Sequence, residues 1–289
     1  MDLLTVGRAV WDGLVNGVSY SLFASGLTLI FGILLVVNFA HGELYMVGAI
    51  LCYVVMTLLG VNFFLAAFIA IISVAAFGFI INRIAIQPLL ERPGWATILA
   101  TIGIGMMMQH GALGTLGPSG YIVITPFTGI TYLGGLRVAT ESIVLLGSGL
   151  AAIVALQLFL RRAKLGKDMR ATIQNPVGAR LCGINTRKVY DITFAIGAGV
   201  AALAGILSAA LYNAHSLMGG SIIIKGFVVT IAAGMGNLAG ACILGIVIGL
   251  AESIFSMLVT PFFRETFIYG ILVVVLLFRP EGFFAGRRR

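Results

Sequence analysis

The sequence has 289 residues, of which 60% are hydrophobic and only 10% charged, with a formal net charge of +8. Soluble domains carry about 25% charged residues, so a water-facing globule is excluded and the chain reads as a polytopic membrane protein in contact with lipid. Its apolar runs are continuous instead of alternating, which favours an all-α transmembrane bundle over a closed barrel. The basic residues sit at the ends of those runs, which speaks against nucleic acid as a partner.

In chain order, the first predicted span covers residues 13–37. Gly13, Gly17, Ser21 and Ser25 recur every fourth position and give it a face of small side chains, suited to close helix packing. The stretch NFAHGELY, 38–45, then sets Asn38, His41, Glu43 and Tyr45 between two apolar runs, with Gly42 as a possible break. Spans follow at 44–59 and 62–81. Residues 82–94 hold Arg83, Arg92 and two prolines and read as a cytoplasmic loop. The next span, 95–116, carries Gln109 and His110. Residues 117–140 are rich in Gly, Pro, Thr and β-branched residues, including YIVIT at 121–125, and read as an external loop that could hold a small hairpin.

A span at 142–160 leads into the one long polar segment, 161–188. Its eight basic residues against one acid, Asp168, give a net charge of +7, which marks it as cytoplasmic by the positive-inside rule. Further spans are expected at 192–211 and 238–259, the latter with a second small-residue face at Ala241, Gly245, Gly249 and Ser253. Between them, 213–220 reads as an external turn. Residues 222–235 are too few for a straight crossing, and Gly234, Gly236 and Gly240 mark a second break. A last span at 267–278 and a tail ending in three arginines close one membrane domain, 1–289, with a cytoplasmic C-terminus. Of the 18 basic residues, 14 fall in segments assigned to the inside; Arg137, Lys225 and Arg264 fall outside and Arg8 is undecided. Two topologies follow. If 38–43 is a cytoplasmic turn, there are nine segments and an external N-terminus. If it is a break in one tilted span, there are eight and the N-terminus is inside. No cleavable leader pattern is expected, because Asp2 and Asp12 interrupt it.

Enzymatic and metal signatures are missing. Gly166-Lys167 is followed by Asp168 and makes no P-loop; HExxH, GxSxG and paired cysteines do not occur. Cys52 and Cys242 fall within spans, and Cys182 falls in the basic segment, where it should be reduced. No catalytic residue, metal or cofactor is therefore expected. Candidate function rests on polar groups at membrane depth, where a charge costs roughly 2.5–3.5 kcal/mol on insertion scales and tends to face a cavity or a partner. Asn38, His41, Glu43, Tyr45, Gln109 and Glu252 are the candidates for a substrate path. Each has a plainer alternative: Glu43 as an acid at a helix N-terminus, Glu252 as a buried packing partner, His41 as a local hydrogen-bonder, and Asn38 and Gln109 as interhelical glue. Both breaks, at 38–43 and 234–240, could expose half-helix ends to a substrate; close packing explains the second equally well.

Within the basic segment, a helical turn is expected from Met169-Arg170. Asn175 then caps a second short helix with Pro176 at its first position, and Gly183 ends it. Ala179, Leu181 and Cys182 give that helix an apolar side suited to a partner's groove. GLTLIFGILLVVNFAHGELYMVGAI at 26–50, the segment just described, and KGFVVTIAAGMGNLAGACILG at 225–245 resemble the permease subunits of bacterial branched-chain amino acid ABC importers, of the LivH type. The resemblance covers nearly the whole chain and is weakest in the external loop. It implies an inner-membrane permease subunit without catalytic residues, paired with a second, similar permease. Two cytoplasmic ATPase subunits would drive it and a periplasmic substrate-binding protein would supply it. The family's ATPase-coupling residues map onto Gly166, Arg170, Ala171, Asn175, Pro176, Ala179, Arg180 and Gly183. One departure is Val177-Gly178, where the family often has Glu-Ala. The alternative class is a self-contained secondary transporter or channel for small solutes, which would need coupling-ion residues such as Glu43 and Glu252.

Overall fold

Small residues spaced by four decide how the bundle closes. In the computed structural model, which describes residues 3–284, α1 (Leu3–Leu34) and α10 (Leu238–Leu258) lie antiparallel along their two small-residue faces. A Cβ built on Gly17 would stand 2.7 Å from the Ile246 Cα, and one on Gly13 would stand 2.9 Å from the Leu250 Cα. Ser21 Oγ donates to the Cys242 carbonyl at 2.7 Å, and Ser253 Oγ donates to the Ala9 carbonyl at 2.7 Å, pinning both ends of the seam. Without a hydrophobic drive between helices in lipid, such close backbone approach and interhelical hydrogen bonding supply the association energy.

The remaining described helices are α2 (His41–Leu59), α3 (Phe63–Ile81), α4 (Gly94–Leu116), α5 (Thr140–Arg162), α6 (Lys164–Gln174), α7 (Pro176–Leu181), α8 (Thr186–Tyr212), α9 (Met218–Ala233) and α11 (Arg264–Phe278). Eight helical segments are long and apolar enough to cross a membrane, and α9 is a shorter ninth element. At 16 residues α9 spans only about 24 Å at 1.5 Å per residue, short of the roughly 30 Å hydrocarbon layer. The core lies where α1, α2 and α8 meet. There a Cβ on Gly48 would come within 2.5 Å of the Ala202 Cα, and one on Gly26 within 2.8 Å of the Gly197 carbonyl.

Several expectations change. The tilted-span reading of 38–43 fails: α1 and α2 are antiparallel, because Phe23 meets both His41 and Tyr45 while α1 runs on to Leu34. The start of α1 lies beside the start of α5, joined by Trp11 Nε1 donating to Ser142 Oγ at 2.9 Å, and so at the end of the bundle opposite the basic segment. The turn is also more than a surface connection. Leu35 takes φ 56°, and residues 35–40 climb back along α4, with the Phe39 amide donating to Thr101 Oγ1 at 3.2 Å.

The break expected at 234–240 is a tight reversal between α9 and α10, with Gly234 and Gly236 both at φ 91° and Gly236 against Gly32 at the far end of α1. The tail seals it: the amides of Phe283 and Phe284 donate to the Ala232 and Ala233 carbonyls at 2.7 and 3.3 Å. The described C-terminus therefore ends on the side of the basic segment; the three terminal arginines lie outside the described residues. The hairpin expected within the loop 117–140 is β1 (Ile130–Leu133) and β2 (Leu136–Ala139), paired antiparallel; Tyr121 forms an isolated bridge with Ala214.

Candidate functional site: a mid-membrane break and an external docking pair

The returning segment sets the depth of α2. A Cβ on Gly105, the midpoint of α4, would lie 3.6 Å from both the Ala40 Cα and the Glu43 Cγ, so α2 begins near the middle of the bundle. Asn38 and His41 are fully buried. Neither side chain has a hydrogen-bond partner, and Glu43 Oε2 also lacks one. Phe23 lies 4.9 Å from His41 and 5.6 Å from Tyr45, ring to ring. The first turn of α9 approaches from the other side: a Cβ on Gly219 would stand 2.6 Å from Glu43 Oε2. Two helix N-termini, each with unsatisfied amides, thus converge on one buried acid. Gln109 is half-buried, one turn along α4 from Gly105, on the face that looks toward this break.

Glu252 is elsewhere. It is fully buried and its Oε1 accepts from Lys225 Nζ at 3.1 Å and from Arg264 Nε at 2.5 Å. Lys225 also donates to the Tyr20 hydroxyl at 3.1 Å. The two cations read from sequence as external lie toward the end of the bundle opposite the basic segment, part-buried around an acid 27 and 12 residues away. Sequence reading also missed Asp191, which accepts from Asn82 (2.9 Å), Gln87 (2.7 Å) and Arg83 (3.1 Å). A π-helical turn at Asn82–Ile86 presents Asn82 and Arg83, and the 3-10 turn Gln87–Leu89 that follows presents Gln87. The available signal was an acid beside an apolar run, facing a loop that carries three side-chain donors.

The basic segment folds as two helices, and α6 begins at Lys164, five residues before the expected turn. Asn175 Oδ1 accepts from the amides of Val177 (3.0 Å) and Gly178 (2.9 Å), and Pro176 occupies the first turn of α7, as expected. Such a cap contributes about 0.5–2 kcal/mol. Gly183 at φ 82° ends α7, with Ile184 N donating to the Ala179 carbonyl and Gly183 N to the Arg180 carbonyl, each at 3.0 Å. That pair of bonds is a Schellman stop. Gly166 packs on the Leu160 backbone, and Arg170 donates to the carbonyls of Leu160 and Arg161, closing the end of α5. Ala171 is half-buried, Ala179 is buried, and Arg180 Nε donates to the Pro176 carbonyl at 3.3 Å. Most of the coupling residues thus shape the element. The outward groups are Val177 and Leu181, 56% and 85% exposed and one turn apart, beside exposed Cys182. The apolar side expected for α7 is therefore split, with Ala179 facing in.

Residues 9–276 match the family model described as "Branched-chain amino acid transport system / permease component". The chain belongs to this family. Among its relatives, the high-affinity branched-chain amino acid transport system permease protein BraD of Pseudomonas aeruginosa is 31% identical, over 94% of this chain and 93% of that protein. The corresponding LivH of Salmonella typhimurium is 30% identical, over 95% of this chain and 94% of that protein. A solved structure of PsaBC from Streptococcus pneumoniae in complex with Fab superposes with a TM-score of 0.51 at 13% identity, covering 93% of this chain and 91% of that one. That likeness concerns the fold alone. A permease of this family is a transport subunit and not an enzyme, and the absence of a clustered nucleophile or base in the sequence accords with that.

Proposed function

We propose that this chain is the membrane-spanning permease subunit of an ATP-driven ABC importer in the bacterial inner membrane. It would carry branched-chain amino acids or related small polar solutes, pair with a second, similar permease, receive solute from a periplasmic binding protein and be driven by two cytoplasmic ATPase subunits. The basic segment and the C-terminal tail then face the cytoplasm. The observation that carries the reading is α7: a capped and stopped helix that holds Val177 and Leu181 out in water. Exposed apolar side chains on so firmly built an element suit insertion into a partner's groove.

Mechanically, the ATPases would move α6–α7 as a unit. Arg170 and Gly166 couple that unit to the end of α5. A space of about 210 Å³ between α1, α5 and α6, lined by Gly32, Leu160, Met169 and Arg170 among others, leaves room for the shift. The moving helices would open and close the break at 38–43, where irregular backbone and half-helix ends can line a path, so that Asn38, His41, Glu43 and, from α4, Gln109 meet the solute. A self-contained secondary transporter would need coupling-ion acids such as Glu43 and Glu252; Glu252 is engaged by Lys225 and Arg264, which leaves Glu43 as the one such acid without an ion-pair partner among the described residues.

The test is Val177→Asp with Leu181→Asp. The pair should abolish ATP-driven uptake while leaving membrane insertion and pairing with the second permease intact. Unchanged uptake would contradict the docking role. Because Arg170 closes α5, its reversal would disturb the fold as well and is the poorer probe.

A further inference from the structure

A second cavity, of about 210 Å³, opens at the end of the bundle opposite the basic segment, between α1, α2, α8, α9 and the start of α11. Its rim includes exposed Tyr212 and Asn213, while Tyr20 and Tyr45 in its wall are buried. Lys225 and Arg264 both line it. Glu252 satisfies them only in part. An ammonium has three donors and a guanidinium five; Lys225 uses two, to Tyr20 and Glu252, and Arg264 uses its Nε. Asp12 and Glu265, the other acids near that end, form no ion pair within 4 Å among the described residues. Donors of Lys225 and Arg264 that Glu252 does not use therefore line a partly enclosed space, with the carboxylates of Asp12 and Glu265 outside contact distance and Glu252 Oε2 itself without a partner. Hydroxyls of Ser19, Ser208 and Ser221 line the same space, with Met218 and Ile222 as its apolar wall. Ser221 also belongs to the first turn of α9, whose helix end favours negative charge.

We infer that this cavity is a solute site of the permease itself, in which the carboxylate of a small amino acid is held by Lys225 and Arg264 while its aliphatic side chain lies on Met218 and Ile222. Cationic donors left unspent at the wall of such a space suit a carboxylate, which accepts charge-assisted hydrogen bonds from both groups. Tyr45 joins the cavity to the break, since it lines the one and packs on Phe23 beside His41 in the other. The site thus stands one step ahead of Glu43 on an inward route. The inference rests on the importer reading for its direction of travel and for the choice of an amino acid; the cavity by itself argues for a carboxylate.

The experiment uses the intact transporter, both permeases with their ATPases, in lipid nanodiscs and without binding protein. Equilibrium binding of radiolabelled L-leucine is measured, with leucinamide, which lacks the carboxylate, as competitor. Wild type should bind leucine and ignore leucinamide. Lys225→Met, which keeps the Arg264–Glu252 pair, should weaken binding about tenfold or more, the loss expected for one charge-assisted hydrogen bond. Lys225→Arg should restore it. If Lys225→Met fails to copurify with the ATPases, Ile222→Ala, which removes part of the apolar wall, serves instead and should weaken binding severalfold. No leucine binding by wild type, equal competition by leucinamide, or variants that bind like wild type would overturn the site. Failure of the importer reading looks different: a wild-type complex that takes up no leucine even when ATP and binding protein are supplied.

Discussion

Asp191 and Glu43 are both carboxylates buried among helices, and their surroundings are opposite. Asp191 collects three side-chain donors from the turn after α3 and locks that turn to α8. Glu43 keeps an oxygen with no partner, beside Asn38 and His41, which have none either. Buried polar groups without partners are few in native proteins, and each calls for an explanation. The first region behaves as frame, in company with the glycine seam of α1 and α10. The second gathers three neighbouring side chains with unmade hydrogen bonds, which is what a solute path would need and what the proposed function assigns to it. The difference teaches that burial of an acid alone does not separate frame from candidate site in this bundle; its partners have to be counted.

Mutations can break that contrast in order of size. Gly17→Val in the seam should be the most damaging, because even its Cβ would meet the Ile246 Cα at 2.7 Å. Overpacking of this kind costs about 3 kcal/mol or more where backbone must move, read as loss of monodisperse protein in fluorescence-detected size exclusion. Asp191→Ala should destabilise by about 2 kcal/mol, since Asn82 is left buried with an unpaired donor; thermal unfolding in detergent measures it. Glu43→Gln should sharpen the comparison most. It removes no hydrogen bond from Oε2, so the melting temperature should move less than for Asp191→Ala, yet uptake should fall sharply. A large stability loss with uptake preserved would make Glu43 part of the frame. Gly178→Ala should have the smallest effect. The helix gains about 1 kcal/mol, offset in part because the new Cβ sits 3.3 Å from the Asn175 side chain that caps α7.

The sequence made the seam faces legible, because a four-residue period of small side chains is a local property. Which two faces meet is not local, and Gly17 against Ile246 had to come from the fold. The short helix α7 was readable at both ends, since Asn175-Pro176 and Gly183 each act on their own backbone. Depth was not readable: residues 35–40 return into the bundle through contacts with α4, more than 60 residues away. Nor were the partners of Glu252, since Lys225 and Arg264 resemble topology-setting charges until α9, α10 and α11 are packed together. The hairpin of the loop 117–140 was readable as an element but not to the residue; Gly134-Gly135, with φ 57° and 88°, is the two-residue turn of the kind that twisted strands prefer.

The claim on which the account turns is that force enters through α7. Cys182 offers a direct probe, because it is exposed at the end of that helix while Cys52 and Cys242 are buried. A benzophenone maleimide attached there, in membranes holding the assembled transporter, should form a photo-adduct with the ATPase subunit, and its yield should change when ATP is added. An adduct confined to lipid or to the second permease, with the ATPase present and copurifying, would contradict the account.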